Sequence, residues 1–176
     1  MSTALAQTAP EFTLPGVDGR DHSLDDYRDA PVLALVQWCN HCPYVQAWEG
    51  RLTAIQRDYA DRGVRVVAIS SNDVANHPED SFEQMQLRAE KQGFTFDYLY
   101  DESQEIARTL GSERTPEVFL YDGDRRLVYH GAIDDNRDET AVTAQYFRDA
   151  LDAVLAGEAP AVADTPPVGC TVKWRS

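Results

Sequence analysis

Two cysteines separated by two residues constrain this chain more than any other feature of its sequence. Cys39 and Cys42 stand between a continuously apolar run, residues 31–37, and a helix-like segment, residues 45–60. An unbroken apolar run is typical of a strand buried on both faces of a sheet, so the pair is predicted at a strand-to-helix junction. Two thiols in this spacing can close a small disulfide ring. The pattern therefore indicates thiol chemistry on an α/β fold.

The position of Cys39 predicts a reactive thiol. A cysteine at a helix N-terminus faces free backbone N–H groups and the positive end of the helix dipole, and both favour the thiolate. Such surroundings lower a cysteine pKa from about 8.5 to roughly 3.5–7.5. We therefore expect Cys39 to have a lowered pKa and to act as the nucleophile.

A metal site is the main alternative for the Cys pair. Structural zinc needs four ligands, usually two Cys pairs or a Cys pair with a spaced His pair. The remaining candidates, Cys170 and single histidines, are scattered along the chain. Redox chemistry is therefore favoured and no metal is predicted. A non-enzymatic copper or zinc carrier that uses Cys39, Cys42 and His41 stays open as a different class of function.

Length and charge limit the domain organisation and the partners. A chain of 176 residues fits one domain; we predict a domain over residues 1–156 and a C-terminal tail over 157–176. The net charge of −14 argues against nucleic acid and anionic membranes as partners.

The N-terminus lacks the basic start and apolar core of a signal peptide. A cytoplasmic location is expected, where a Cys pair is more often catalytic than structural. The acid excess suits either concentrated salt or ordinary solubility.

Hydrophobic periodicity and turn residues predict the remaining elements. They are a hairpin over residues 11–24, strands 64–70 and 94–100, helices 81–92, 103–110 and 139–156, and a second hairpin over residues 117–131. Thr115-Pro116 stands between the helix predicted over residues 103–110 and the second hairpin.

This order, with Trp38-Cys39-x-x-Cys42 and Thr115-Pro116 at matching places, resembles the thioredoxin-like superfamily over residues 8–156. The N-terminal hairpin and the insertion around residues 72–100 resemble its redoxin branch, which includes peroxiredoxins and TlpA-like thiol-disulfide oxidoreductases. The resemblance implies an α/β thioredoxin-like fold, with a central mixed sheet flanked by helices, an N-terminal β-hairpin and a C-terminal tail.

The resemblance also implies roles for individual residues. Pro116 would be cis and face the dithiol, and the Thr115 backbone would pair with an extended substrate strand beside Cys39. Trp38 joins Thr115 and Pro116 as a predicted substrate-binding residue, and Cys42 would be the shielded resolving thiol.

His41, which directly precedes Cys42, is predicted to tune the pair. A partly charged imidazole there would stabilise the Cys39 thiolate, and hence the reduced form, which makes a dithiol more oxidising. Oxidising members of the superfamily are similar in placing His before the second Cys.

Some expected groups are missing. Leu33 stands where thioredoxins bury an acid, and Val45 stands where TlpA-like members often have one. Glu49 is interpreted as a solvated helix charge, so the proton acceptor for Cys42 is unassigned. The peroxiredoxin motif Pro-x-x-x-Thr/Ser-x-x-Cys also fails, because Val36 and Val32 stand at its hydroxyl and proline positions before Cys39. Taking Cys42 instead places Cys39 and Leu35 there.

The tail contains Cys170 in the sequence Gly-Cys-x-x-Lys-Trp, which resembles tails of redoxin-branch relatives. Its prolines favour disorder, whereas its apolar side chains would gain free energy by docking. We expect it to pack on the domain, with Cys170 as a candidate third thiol.

Together these observations predict a thiol-disulfide oxidoreductase in which Cys39 attacks and Cys42 resolves. Its partners would be a protein or small-molecule disulfide or thiol and an upstream thiol reductant, with no cofactor required. A thiol peroxidase is the alternative enzyme.

Overall fold

A five-stranded mixed sheet forms the centre of the protein, whose structure, a computed structural model, describes residues 6–175. The strands lie in the order β5-β4-β3-β7-β8. The first three are parallel to one another and β7 runs antiparallel to β3. Strand β8 is antiparallel to β7, so it points in the same direction as the first three. Their bounds are β3 Val32–Trp38, β4 Val64–Ser70, β5 Asp97–Tyr100, β7 Glu117–Tyr121 and β8 Leu127–Gly131.

Helices cover both faces of this sheet. They are α1 Pro43–Tyr59, α2 Phe82–Gln92, α3 Glu105–Leu110 and α4 Tyr146–Leu155. Successive side chains of β3 point to opposite faces, so Ala34 packs with α1 and α4 while Leu35 packs with α3. All seven residues of β3 are buried, which is why the strand, apart from Gln37, is apolar without alternation.

The predicted N-terminal hairpin forms a separate two-stranded antiparallel sheet. Its strands are β1 Thr13–Pro15 and β2 Asp21–Ser23. Gly19, at a φ of 85°, supplies the left-handed residue of the turn.

The last helix is shorter than predicted. It begins at Tyr146 rather than near residue 139, and Glu139–Ala141 forms only a 3-10 turn. In the segment before α4, side-chain carboxylates accept hydrogen bonds from backbone N–H groups that a helix would have used. Asp138 accepts from the Thr140 N–H at 3.0 Å, and Asp135 accepts from the Thr143 N–H at 2.8 Å. Asp side chains compete with helical hydrogen bonds in this way.

The segment after α4 returns to the domain and adds a small third sheet. Strand β9, Cys170–Thr171, pairs antiparallel with β6, Arg114–Thr115. Within residues 6–175, none of the helices combines the length and apolar character needed to cross a membrane.

Candidate active site

Residues 39–42 form the loop that joins β3 to α1, at the carboxyl end of β3. Cys42 is the N-cap of α1 and Pro43 is its first residue. Proline suits this position because the first helical N–H has no partner within the helix. The helix therefore begins after the Cys pair, and Cys39 lies upstream of the cap rather than at the helix N-terminus as predicted.

Cys39 is a buried free thiol. Only 1% of its surface is exposed, and its Sγ lies 3.6 Å from Thr115 Oγ1. Burial, with a smaller contribution from the charge of Asp80, raises the pKa of Cys39 to about 12. The Thr115 hydroxyl and the backbone N–H groups of Cys42 and His41 act in the opposite direction and are outweighed. The predicted lowering of this pKa is wrong for this state, because desolvation exceeds the effect of nearby donors.

Cys42 is joined by a disulfide to Cys170 of the tail. The two Cα atoms are 6.3 Å apart, within the usual range for a disulfide, and the cysteines are 128 residues apart in sequence. Cys42 Sγ also lies 3.7 Å from the Thr115 carbonyl oxygen. In this structure Cys42 is thus bonded to the third cysteine, and Cys39 is the thiol left free.

Thr115 lies between the two sulfurs, and its peptide bond to Pro116 is the expected cis bond. In β6, Thr115 is the partner of Cys170, so the tail occupies the free edge of this short strand. Gly169 is packed so closely on it that a Cβ would clash with the Thr115 carbonyl. The buried carboxylate of Glu117 holds the same loop, accepting from the N–H groups of Glu113 and Arg114 at 2.8 and 2.9 Å.

A fully buried carboxylate, Asp80, braces the cysteine loop. It accepts hydrogen bonds from the backbone N–H groups of Asn40 and His41 at 2.8 and 3.2 Å. The side-chain amide of Asn72 donates to it at 2.9 Å. Tyr98 donates to the Asn40 side chain at 2.7 Å, which fixes the loop from the sheet side. The loop backbone is therefore held by side chains from β5 and from the segment after β4.

His41 points toward this carboxylate. Its Nδ1 is hydrogen-bonded to Asp80, and Glu79 lies 3.7 Å from the same nitrogen. The ring stacks on His77, with 5.4 Å between ring centroids and 9° between the planes. Each of these contacts fixes the ring orientation beside Cys39.

Two sequence-based interpretations need correction. Trp38 is completely buried and packs edge-to-face on Phe96, with ring centroids 5.7 Å apart. It lies in the core beneath the loop, which corrects its predicted role in contacting substrate. Glu49 is not a solvated charge, because its side chain is only 7% exposed and receives two hydrogen bonds from Arg88 at 2.6 and 2.7 Å.

Residues 5–130 match the AhpC/TSA family. The chain belongs to the AhpC/TSA family. This confirms the predicted membership of the redoxin branch, to which the element order and the Cys39-x-x-Cys42 and Thr115-Pro116 pairs pointed.

This AhpC/TSA member is similar to one protein of named activity and to two proteins of known structure. The thiol-disulfide oxidoreductase ResA of Geobacillus thermodenitrificans is 29% identical over 123 residues, which are 69% of this chain and 65% of that protein. The chain thus spans just under two thirds of that relative. A hypothetical protein from Sinorhizobium meliloti 1021 is 39% identical, with a TM-score of 0.93 over 100% of this chain and 97% of that one. A putative thioredoxin from Neisseria meningitidis is 22% identical and shares the fold, with a TM-score of 0.60 over 71% and 79%. The thioredoxin-like fold is confirmed, and the predicted oxidoreductase class agrees with the name of the first relative.

The hydroxyl beside Cys39 belongs to a residue that is distant from Cys39 in sequence. In this AhpC/TSA member Thr115, which is 76 residues after Cys39 in sequence, places its Oγ1 at 3.6 Å from Cys39 Sγ. In the peroxiredoxin motif the hydroxyl stands three positions before the cysteine, where this chain has Val36 before Cys39 and Cys39 before Cys42. A hydroxyl contributed by another element leaves no trace in local spacing.

Asp80 is a residue of this site that the sequence did not single out, and its neighbour Ser81 caps α2 by accepting from the Gln84 N–H at 3.2 Å. One signal could have found it. The polar segment with Asn72 and Asp80 follows β4, whose carboxyl end lies beside that of β3 at the same edge of a parallel sheet, where α/β proteins place their sites.

Two groups of side chains among the described residues could hold a metal ion, and both include His41. Cys39, His41 and Asp80 form one, and His41, His77 and Glu79 form the other, with the donor atoms of each within 4.8 Å of one another. Cys42, which the carrier alternative requires, is bonded to Cys170 instead.

Proposed function

We propose that this protein is a thiol-disulfide oxidoreductase in which Cys39 is the nucleophile and Cys42 the resolving thiol. The observation that carries the proposal is the sharing of one residue by both sulfurs. Cys39 Sγ lies 3.6 Å from the Thr115 hydroxyl, and Cys42 Sγ lies 3.7 Å from the Thr115 carbonyl oxygen. One of the two sulfurs is a thiol and the other is already in a disulfide.

The proposed reaction is two successive exchanges. The Cys39 thiolate attacks one sulfur of a substrate disulfide, a Cys39–substrate bond forms, and the other substrate sulfur leaves with the electron pair and takes a proton. Cys42 then attacks Cys39 Sγ, forms the Cys39–Cys42 disulfide and releases the second substrate thiol. Thiol–disulfide exchange of this kind proceeds through a mixed disulfide and needs no cofactor.

His41 and Asp80 are the groups placed to handle the Cys39 proton. Their donor atoms and the Cys39 sulfur lie within 4.8 Å of one another, and His41 is hydrogen-bonded to Asp80. We propose that His41 stabilises the Cys39 thiolate once the site opens. Replacing His41 by Ala should raise the Cys39 pKa and lower the reduction potential of the pair; an unchanged pKa and potential contradict this role.

The substrate in this proposal is a protein or small-molecule disulfide or thiol, and an upstream thiol regenerates the pair. The relative named ResA, a thiol-disulfide oxidoreductase, supports this chemistry. The cytoplasmic location stays a prediction, which cell fractionation checks.

The deciding experiment measures exchange with insulin and glutathione disulfide for the wild type, Cys39→Ser and Cys42→Ser. The proposal expects loss of catalytic exchange in both variants and a defined reduction potential in the wild type. A potential near about −270 mV indicates a reductant and one near about −120 mV an oxidant. Exchange that survives in Cys39→Ser contradicts the proposal, and consumption of peroxide without any disulfide substrate favours the peroxidase alternative.

A further inference from the structure

The C-terminal segment is fastened on both sides of Cys170. Before it, Thr165 exchanges backbone contacts with β8, donating to the His130 carbonyl at 2.9 Å, and its hydroxyl accepts from the Ala132 N–H at 2.9 Å. After it, the Val172 N–H donates to the Glu113 carbonyl at 3.0 Å, and the Lys173 N–H donates to the Asn72 side chain at 2.9 Å. Cys170 is therefore held at the cysteine loop by its own strand and by bonds on either side.

The three cysteines differ in their access to solvent. Cys39 and Cys42 are 1% and 0% exposed, whereas Cys170 is half-buried. Strand β9 also occupies the edge of β6 at Thr115, which is where an external strand would have to pair. While the tail is docked, an external thiol can approach Cys170 more readily than either cysteine of the loop.

We propose that Cys170 is a third redox-active thiol, which takes the disulfide from the Cys39–Cys42 pair and presents it to an external thiol reductant. The inference rests on the proposed function and adds a second exchange site to it. The substrate is attacked by Cys39 when the tail is displaced, and the reductant acts at Cys170 when the tail is docked.

The transfer balances as an ordinary exchange. The Cys170 thiolate attacks Cys42 Sγ of the Cys39–Cys42 disulfide, the Cys42–Cys170 bond forms, and the electron pair leaves on Cys39, which takes a proton. An external thiol then attacks Cys170 Sγ and releases Cys42 as a thiol. A second external thiol attacks the mixed disulfide, releasing the Cys170 thiol and the oxidised reductant. Because burial keeps Cys39 protonated in the docked state, its attack back on Cys42 is disfavoured.

Peptide mapping tests which disulfide accumulates. The fully reduced protein is oxidised with glutathione disulfide, quenched in acid, alkylated and digested. We expect the Cys42–Cys170 peptide to exceed the Cys39–Cys42 peptide at least tenfold, with Cys39 alkylated. The Cys170→Ser variant should form Cys39–Cys42 instead. A wild type with Cys39–Cys42 joined and Cys170 alkylated overturns the inference.

Re-reduction by glutathione tests whether the external thiol attacks Cys170 first. The wild type should pass through a glutathione adduct on Cys170 and be reduced at least tenfold faster than oxidised Cys170→Ser. Equal rates, or an adduct found on Cys42, contradict the inference.

Gly169→Ala tests the docked strand without removing a thiol. Its Cβ would clash with the Thr115 carbonyl, so β9 should not dock and the Cys42–Cys170 yield should fall at least tenfold. Gly50→Ala is the matched control, because a Cβ at this exposed helical position meets no atom within 4 Å and the map should stay as in the wild type. A wild-type map for Gly169→Ala contradicts a role for the docked strand.

The two proposals fail in different ways. If Cys170→Ser turns over substrate and reductant at wild-type rates through Cys39–Cys42, only the third thiol is refuted. If neither the wild type nor any variant exchanges disulfides with insulin or glutathione, the proposed function itself is refuted.

Discussion

The imidazole of His130 is hydrogen-bonded to the buried carboxylate of Glu117, with Nε2 at 2.6 Å from Oε2. Its Nδ1 donates to Asp164 of the tail at 2.7 Å. Glu117 in turn holds the backbone of Glu113 and Arg114, next to the strand on which Cys170 docks. A single side chain thus joins the tail to the loop that carries Thr115.

This link predicts a pH dependence of stability. Burial opposes the charged ring, but the bonds to Glu117 and Asp164 outweigh it and raise the pKa of His130 above its usual value of about 6.5. A raised pKa means that the folded protein binds the proton more tightly than the unfolded chain. The contribution is therefore complete below about pH 6.5 and is lost as pH rises through the folded value. Urea unfolding at a series of pH values should show this decline in the wild type.

His130→Gln should lose that slope, and Asp164→Asn should reduce it. Glu158→Gln is the control, since it removes an exposed charge after α4. A wild-type slope in His130→Gln assigns the titration to another group.

A second prediction concerns the free thiol. With its pKa raised to about 12, Cys39 in the Cys42–Cys170 form should be almost entirely protonated at pH 8. Iodoacetamide should therefore modify the native oxidised protein far more slowly than the unfolded one, whose free cysteine has a pKa of about 8.5. Mass spectrometry of native and urea-treated samples provides the measurement. Rapid native alkylation at Cys39 would show that the docked tail does not shield it.

A third prediction follows from the charge of Asp80, which raises the pKa of Cys39. Asp80→Asn should lower that pKa while keeping an oxygen that accepts from the Asn40 N–H. The lost charge-assisted bonds should also reduce the free energy of unfolding by about 1–3 kcal/mol. The pH dependence of alkylation of the reduced Cys42→Ser protein, with and without Asp80→Asn, checks the direction. Glu79→Gln, which removes a half-exposed carboxylate near His41, should leave the profile nearly unchanged.

A fourth prediction concerns the support of α1, the helix that Cys42 caps. Asp134 is buried and accepts from Arg51 at 2.8 Å and from the Trp48 indole at 2.9 Å. Asp134→Ala leaves the buried Arg51 charge without a carboxylate, with only the Asn136 and Arg137 carbonyls as acceptors, and should reduce the free energy of unfolding by about 3–5 kcal/mol. Denaturant unfolding gives the value.

The exposed pair of Arg57 and Asp58, with side chains 66% and 41% exposed, is the control for that variant. Arg57→Ala should cost about 0–1 kcal/mol, as exposed ion pairs do. Similar losses for the two variants contradict the importance of the buried pair.

Much of the fold was predictable because its signals are local. The buried run of β3, the Cys39-x-x-Cys42 spacing and the Thr115-Pro116 pair each follow from residues adjacent in sequence. The start of α4 was not predictable from periodicity, because Asp135 and Asp138 bind backbone N–H groups that a helix would have used.

The features of the site also fall into those that local sequence predicts and those that it does not. The sequence by itself determined that two thiols lie at a strand-to-helix junction, and its resemblance to thioredoxin-like proteins implied that Thr115 and Pro116 face them. Only the tertiary structure decided that Cys42 bonds to Cys170, 128 residues away, and that Asp80 braces the loop. It also reversed the expected direction of the Cys39 pKa shift. The reason is physical: a thiol's pKa and partner depend on burial and on long-range packing, which local spacing does not encode.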